Sequence, residues 1–410
     1  MTDTKAEVPE FPMLRDPEHP LDPPPILAQM QAGAGVCPAK MWNGTTPWIV
    51  TRFADLQQML SDQRLSVNAE LPGYPAFTPA IHARQQRVQT FINLDDPEHN
   101  RQRRMLTPTV TVKHIQELRP RVQKIVDDLI DDMLAGPKPA DLVESFALPM
   151  PSLVICELLG VPYEDRELFQ KAGSAVNSKA SSYEEGLELM EQMLEYIGEL
   201  VDAKNADPNL DPEQDLLSEL VVRQLREGKL SRDQVVAMAE LVLVAGHDTT
   251  ANQTALSVLA LLLHPEQLAE LRDTDDPDLV SNAVEELLRY LNITHGGRRR
   301  IALEDLTIGD QLVRKGDGVI GANDIGNRDP SVFENPNTLD IHRSNARKHM
   351  AFGYGIHQCF GQQLARMELT VVYTTLFRRI PTLQLAVGLD EINFKFGGPV
   401  YGVWELPVTW

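Results

Sequence analysis

The residues with the clearest capacity for chemistry lie in FGYGIHQCFGQQLAR, Phe352 to Arg366, where a single cysteine, Cys359, stands among three glycines. Gly353, Gly355 and Gly361 lack a Cβ, so the backbone around the sulfur is able to turn tightly and let a flat ligand approach. The helical pattern that starts near Phe360 would aim its first N–H groups back at the sulfur and favour the thiolate. A sheltered thiolate is a good ligand for a soft metal. Zinc would require three or four protein ligands at finger-like spacing, and no second Cys or paired His stands close enough in sequence. A metal that brings four equatorial ligands of its own needs only one from the protein, and haem is such a metal.

The other cysteines, Cys37 and Cys156, read as small buried hydrophobes. The three are odd in number and widely spaced, and the N-terminus MTDTKAEVPEFPMLRDPEHP has no basic start ahead of an apolar core. A disulfide framework is therefore not expected, and the protein is expected in the cytoplasm. The formal net charge of −21, from 38 Lys+Arg and 59 Asp+Glu, argues against nucleic acid as a partner. The longest apolar run, ALSVLALLL at Ala255 to Leu263, falls well short of the roughly 20 residues that span a bilayer, so no membrane partner is expected.

These side chains need elements to position them. Asn43-Gly44 within KMWNGTTPWIV, Lys40 to Val50, predicts a hairpin and a small N-terminal sheet. From His114 the apolar residues Ile115, Leu118, Val122, Ile125, Val126, Leu129, Ile130 and Met133 recur at helical spacing up to Gly136. Further helices are predicted over 151–159, 163–176, 183–204, 212–226, 231–263, 277–290 and 360–379, and short strands within 298–323 and 392–410. The fold class is mainly α with small β regions. Length alone suggests about two or three domains, but no low-complexity linker or internal repeat divides the chain, and one domain over residues 1–410 is expected.

The string F-G-x-G-x-H-x-C-x-G, Phe352 to Gly361, resembles the haem-binding loop of the cytochrome P450 family at every fixed position. AGHDTT, Ala245 to Thr250, resembles that family's oxygen-activation helix, and EELLR, with Glu286 and Arg289, its E-x-x-R pair. DDPEHNRQRR adds His99 and Arg103, four residues apart and on one face if that stretch is helical. The likeness runs from roughly Phe11 to the end and is greatest to soluble actinobacterial monooxygenases of the sulfonylurea- and compactin-hydroxylating group. It implies a P450 fold and haem b, iron protoporphyrin IX, with Cys359 as the axial ligand of the iron in a loop where Phe352 and Gly353 hold the cofactor. Phe352 would shield the sulfur from water. Ala245 and Gly246 would keep their helix slim where it crosses the ring, and that helix would be locally distorted. Asp248 and Thr249 would relay protons from water to oxygen at the haem. The plainer alternative is that Thr249 bonds back to a helix carbonyl and Asp248 is solvated. The propionates would be held by His99, Arg103, Arg300 and His357, Arg300 being chosen over its neighbours Arg298 and Arg299 by the match of RIALED to the family's R-x-A strand. Glu286 and Arg289 would be structural, with Arg343 as a third member of their network.

The resemblance also implies electrons from outside, because 410 residues leave no room for a flavin reductase. A ferredoxin and ferredoxin reductase are the expected partners of a monomer. Between His99 and Lys124, seven Lys/Arg stand against one acid, Glu117; this basic stretch could steer an acidic ferredoxin, or be an ordinary solvated helix face. The pocket would be lined from 74–92, 241–249, 291–297 and 397–403, mostly apolar or small, so a lipophilic small molecule is expected: a polyketide, statin-type lactone, macrolide or terpenoid. Gly296 and Gly297 would make that pocket roomier. Two other readings stand beside hydroxylation or epoxidation. NADH-dependent nitric oxide reduction is disfavoured by the retained Asp248, and a non-enzymatic haem sensor would have no use for Asp248 and Thr249.

Overall fold

The Asn43-Gly44 turn forms, with Gly44 at φ +83°, but the strand that pairs across it lies upstream of the expected segment. β1 (Val36–Pro38) is antiparallel to β2 (Trp48–Val50), and Ala39 and Met41 bond across the turn to Pro47 and Thr45. The computed structural model describes residues 8–79, 81–82, 89–162, 165 and 183–410. They fall into two units, the first made of Met1–Asn100, Glu285–Cys359 and Phe396–Tyr401.

In this first unit β2 also runs parallel to β8 (Gly318–Gly321), which is antiparallel to β5 (Arg298–Ala302), and β5 to β3 (Leu65–Ser66). The resulting sheet has the order β1-β2-β8-β5-β3, beside a two-stranded ribbon of β6 (Leu306–Ile308) and β7 (Gln311–Val313). Two helices that the sequence reading did not anticipate, α1 (Pro25–Ala32) and α2 (Phe53–Ser61), belong here. Phe53, Leu56 and Leu60 recur on one face of α2 and join Val50, Val319, Ile308 and Phe333 in a buried cluster. The E-x-x-R pair is wholly buried. Arg289 meets Glu286 through two bonds of 2.7 and 2.8 Å, Arg343 Nε reaches both carboxylate oxygens at 3.1 Å, and Arg289 also donates to the carbonyls of Asn327, Pro336 and Thr338.

The second unit comprises Arg101–Val284, Phe360–Lys395 and Gly402–Trp410. Helix α3 (Glu98–Leu106) ends in it. Its α4 (Val112–Ala135) buries the predicted face, is capped by the Thr111 hydroxyl and stops at Gly136. There follow α5 (Pro149–Leu159), α6 (Tyr183–Ala206), the long α7 (Arg232–Leu262), α8 (Pro265–Asp273), α9 (Pro277–Tyr290), which ends in the first unit, and α10 (Gln362–Arg379). Ser231 and Gln234 close a capping box at the start of α7, which packs on α5, α6 and α10. A small sheet has the order β4 (Ala140–Asp141), β10 (Pro407–Thr409), β9 (Gln384–Leu385). The helix expected over 212–226 is shorter: Asp215 caps Leu216–Leu220, and Val221–Leu225 continues as a π-helical turn. The one expected over 163–176 lies outside the described residues except for 165. Helices dominate and the sheets are small, as the composition of periodic segments implied. Among the described residues no helix is long and apolar enough to cross a membrane.

Where α10 meets α7, Glu368 is 2% exposed and its Oε1 has no hydrogen-bond partner. Burial pushes its carboxyl up to about 8, against the lowering effect of a hydrogen bond with Thr250.

Two predictions follow from these buried charges. Glu286→Gln strips the shared anion from two buried guanidiniums and should cost about 3–5 kcal/mol in denaturant unfolding. Glu368 keeps a proton in the folded chain that the unfolded chain gives up near pH ~4.3, so folding stability should fall as pH rises from there through about 8. Glu368→Gln should flatten that decline, read as melting temperature against pH.

Candidate active site

The loop before Cys359 is made by glycines where the backbone demands them. Gly353 and Gly355 sit at φ +76° and +73°, and a Cβ on Gly355 would lie 2.6 Å from the Leu60 carbonyl oxygen. Between them the chain doubles back so that Cys359 N–H donates to the Phe352 carbonyl at 2.8 Å and Gln358 N–H to Gly355 at 3.0 Å. Cys359 is a half-buried thiol without a disulfide. Gly361 differs from the other two: at φ −83° it takes an ordinary conformation and serves as the N-cap of α10. The helix thus starts at Gln362, two residues later than expected.

Around this loop the first unit gathers several of the expected residues. Phe352 packs near His349, with ring centroids 6.0 Å apart, and the His357 ring lies 4.2 Å from that of His99, which is fully buried. Strand β5 carries Arg298 and Arg300 on the same face, two residues apart. Arg300 is buried and donates to the Arg299 carbonyl at 2.8 Å. Arg298 Nη2 donates to the Ala351 carbonyl at 3.2 Å, while its buried Nε meets no acceptor. Burial pushes both guanidiniums down, Arg300 to about 10, and the charge of Cys359 opposes the effect at Arg298. Both remain cationic at neutral pH. Two sheltered cations with no ion pair to a carboxylate among the described residues are costly alone. They fit a ligand that brings its own carboxylates, as haem does with its propionates. Among the described residues no cluster of three or more His, Cys, Asp or Glu could hold a metal, and a single thiolate suits a metal already held by a macrocycle. The residues present therefore fit haem.

Arg298 was passed over by the sequence reading in favour of Arg300. The signal was present in the two-residue period of the strand, which gives both side chains one direction. Gly296 and Gly297 call for a correction. A Cβ on Gly297 would stand 2.5 Å from Ile320 Cγ2 at a backbone φ of +64°, and one on Gly296 3.2 Å from Pro399. Close packing, rather than a roomier pocket, accounts for both glycines. A cleft of about 790 Å³ opens elsewhere in this unit, lined by residues such as Asp16, His19, Arg52 and Arg328, and holds none of the expected site residues.

In the second unit, α7 carries Ala245, Asp248 and Thr249. It is α-helical throughout, so the expected distortion beside the acid-alcohol pair is absent. Gly246 faces α5, where a Cβ would stand 2.6 Å from Ile155 Cδ1, and so serves helix packing; Ala245 alone of the expected small pair is exposed. Thr249 Oγ1 donates to the Ala245 carbonyl at 2.6 Å, the back-bond of the plainer reading. With its proton so placed, the hydroxyl oxygen is left as an acceptor. Asp248 departs from the plainer reading. It is not simply solvated: its Oδ1 accepts from Asn252 Nδ2 at 2.7 Å, and burial pushes its carboxyl above the usual range while Lys395 and Asn252 pull it back. Lys395 had no signal in the sequence, standing 147 positions from Asp248. Arg103, on α3, lies over the Phe360 ring at 5.8 Å.

The comparisons with known proteins agree with this chemistry. The cytochrome P450 family profile matches residues 73–382. Cytochrome P450 GfsF of Streptomyces halstedii is 48% identical over 409 residues, 100% of this chain and 98% of that one, and its crystal structure superposes with a TM-score of 0.93 over 98% of this chain and 100% of that one. Cytochrome P450-SU2 of Streptomyces griseolus is 45% identical over 97% of this chain and 96% of its own. The mycinamicin VIII C21 methyl hydroxylase of Micromonospora griseorubida, in a crystal structure bound to mycinamicin VIII, is 40% identical, with a TM-score of 0.87 over 98% of this chain and 100% of that one. The cysteine loop, the buried E-x-x-R network and these near full-length matches together make this chain a member of the cytochrome P450 family.

Proposed function

We propose that this cytochrome P450 monooxygenase hydroxylates or epoxidises a lipophilic small molecule, such as a polyketide, statin-type lactone, macrolide or terpenoid, with electrons from a ferredoxin and its reductase. Haem b is the family's cofactor, and when bound it supplies the oxidising chemistry. The observation that carries the reading is the pairing of a half-buried acid, Asp248, with a neighbouring hydroxyl, Thr249, whose proton is already placed on Ala245. In this reading Asp248 takes protons from solvent and passes them on, and Thr249 Oγ1 accepts a hydrogen bond that orients the water between them. Cys359 would hold the haem iron through its thiolate, with Phe352 and Gly353 shaping its shelter. Arg300, Arg298, His357, His99 and Arg103 would hold the propionates. A relative named as a methyl hydroxylase supports oxygen insertion into a small molecule as the reaction.

The basic stretch supports the redox partner. Arg121 pairs with Glu157 and Lys124 with Asp128, whereas Arg104 is exposed and makes no ion pair among the described residues. Such a surface favours an acidic protein. The proposal further takes the chain to work as one haem-thiolate domain, as a monomer in the cytoplasm. Nitric oxide reduction is the weaker reading because it leaves Asp248 without a task.

Cys359→Ser should abolish the thiolate signature of the ferrous carbonyl complex, and survival of that signature would remove Cys359 as ligand. Thr249→Ala should uncouple NADH consumption from product, with peroxide accounting for most of the electrons, about a tenfold loss of product per NADH. Full coupling in that variant would contradict the proton relay.

A further inference from the structure

We propose that Lys395 is a positioning residue for Asp248, acting through the side-chain amide of Asn252; the proposal rests on the reading of Asp248 as the proton donor. Lys395 Nζ donates to Asn252 Oδ1 at 2.9 Å, and Asn252 Nδ2 donates to Asp248 twice, to Oδ1 and to the backbone carbonyl, each at 2.7 Å. An ammonium group has only donors. It therefore dictates which way the amide points: the oxygen of Asn252 must face Lys395 and the nitrogen must face Asp248. One carboxylate oxygen is thereby pinned as an acceptor, and the other, Oδ2, is the oxygen left to exchange a proton.

The C-terminal ribbon is built to hold this arrangement. Phe394 bridges Val403, Lys395 N–H donates to the Gly402 carbonyl at 2.8 Å, and Trp404 N–H to Asn393 at 2.8 Å. A Cβ at position 402 would fall 1.8 Å from Asn252 Oδ1, so the backbone can lie against the amide only as glycine. Lys395 is 8% exposed, and its Nζ stands 5.0 Å from the centre of the Trp404 ring. It makes no direct salt bridge among the described residues. Asp248 is the ionisable group there that acts on Lys395, and Lys395 the one that acts on Asp248. The charge of Lys395, one amide away, opposes the burial that raises the Asp248 carboxyl and so favours its anionic form.

The test uses the purified haem-loaded enzyme and the infrared carboxyl band of Asp248, assigned as the band lost in Asp248→Asn. Lys395→Met should move the titration of that band to higher pH and lower the product formed per NADH, while Lys395→Arg should restore both. The thiolate signature of the ferrous carbonyl complex shows whether each variant is folded. Should Lys395→Met fail to fold, Asn252→Ala carries the same test, because it breaks the link while leaving the cation in place, and the same upward shift is expected. An unchanged titration in either folded variant overturns the proposal. The titration needs no turnover, so a shifted band with unchanged coupling upholds the positioning role and overturns the proton-donor reading instead.

Discussion

A short hydrogen-bonded loop is the feature on which this chemistry depends. Cys359 N–H closes onto the Phe352 carbonyl only because Gly353 and Gly355 take left-handed backbone angles between them, and the approach of Gly355 to the Leu60 carbonyl leaves no room for a side chain. A thiolate sheltered from water is useful as a soft-metal ligand, and Cys359 stands half-buried in this loop. Everything the resemblance assigns to the cofactor begins from that one sulfur.

The second constraint is the disposal of charge away from water. Within the first unit two solutions stand side by side. Glu286, Arg289 and Arg343 satisfy each other and several backbone carbonyls, which makes them a structural knot with no chemistry to perform. Arg298 and Arg300 are sheltered and donate hydrogen bonds to carbonyls, with no ion pair to a carboxylate among the described residues, and that incompleteness is what marks them for an anionic ligand. The second unit repeats the contrast, with Glu368 kept neutral by burial and Asp248 held near a cation through an amide. Arginines stand in both arrangements of the first unit and a carboxyl in both of the second, and the partner decides the role.

Much of this was legible in the sequence for definite physical reasons. The cysteine loop, the E-x-x-R pair and the long apolar periodicities each put their constraint into adjacent residues, so α4, α7 and the network at Glu286 stand where expected. Short elements such as α1, α2 and α8 are fixed by tertiary packing more than by their own pattern, and they were missed. Gly246 and Gly297 were assigned to ligand space because a sequence shows that a Cβ is missing without showing which neighbour requires it. Lys395 was invisible because its partner Asn252 lies 143 positions away. Arg298 was legible in principle, through strand alternation, and was passed over for a motif match.

The most direct test of the account is turnover under labelled dioxygen, with a ferredoxin, its reductase, NADH and lipophilic candidates chosen by a low-to-high spin shift of the ferric protein. The account predicts a product that carries one atom of label. Product oxygen drawn wholly from water, or NADH oxidised only when nitric oxide is supplied, would contradict it.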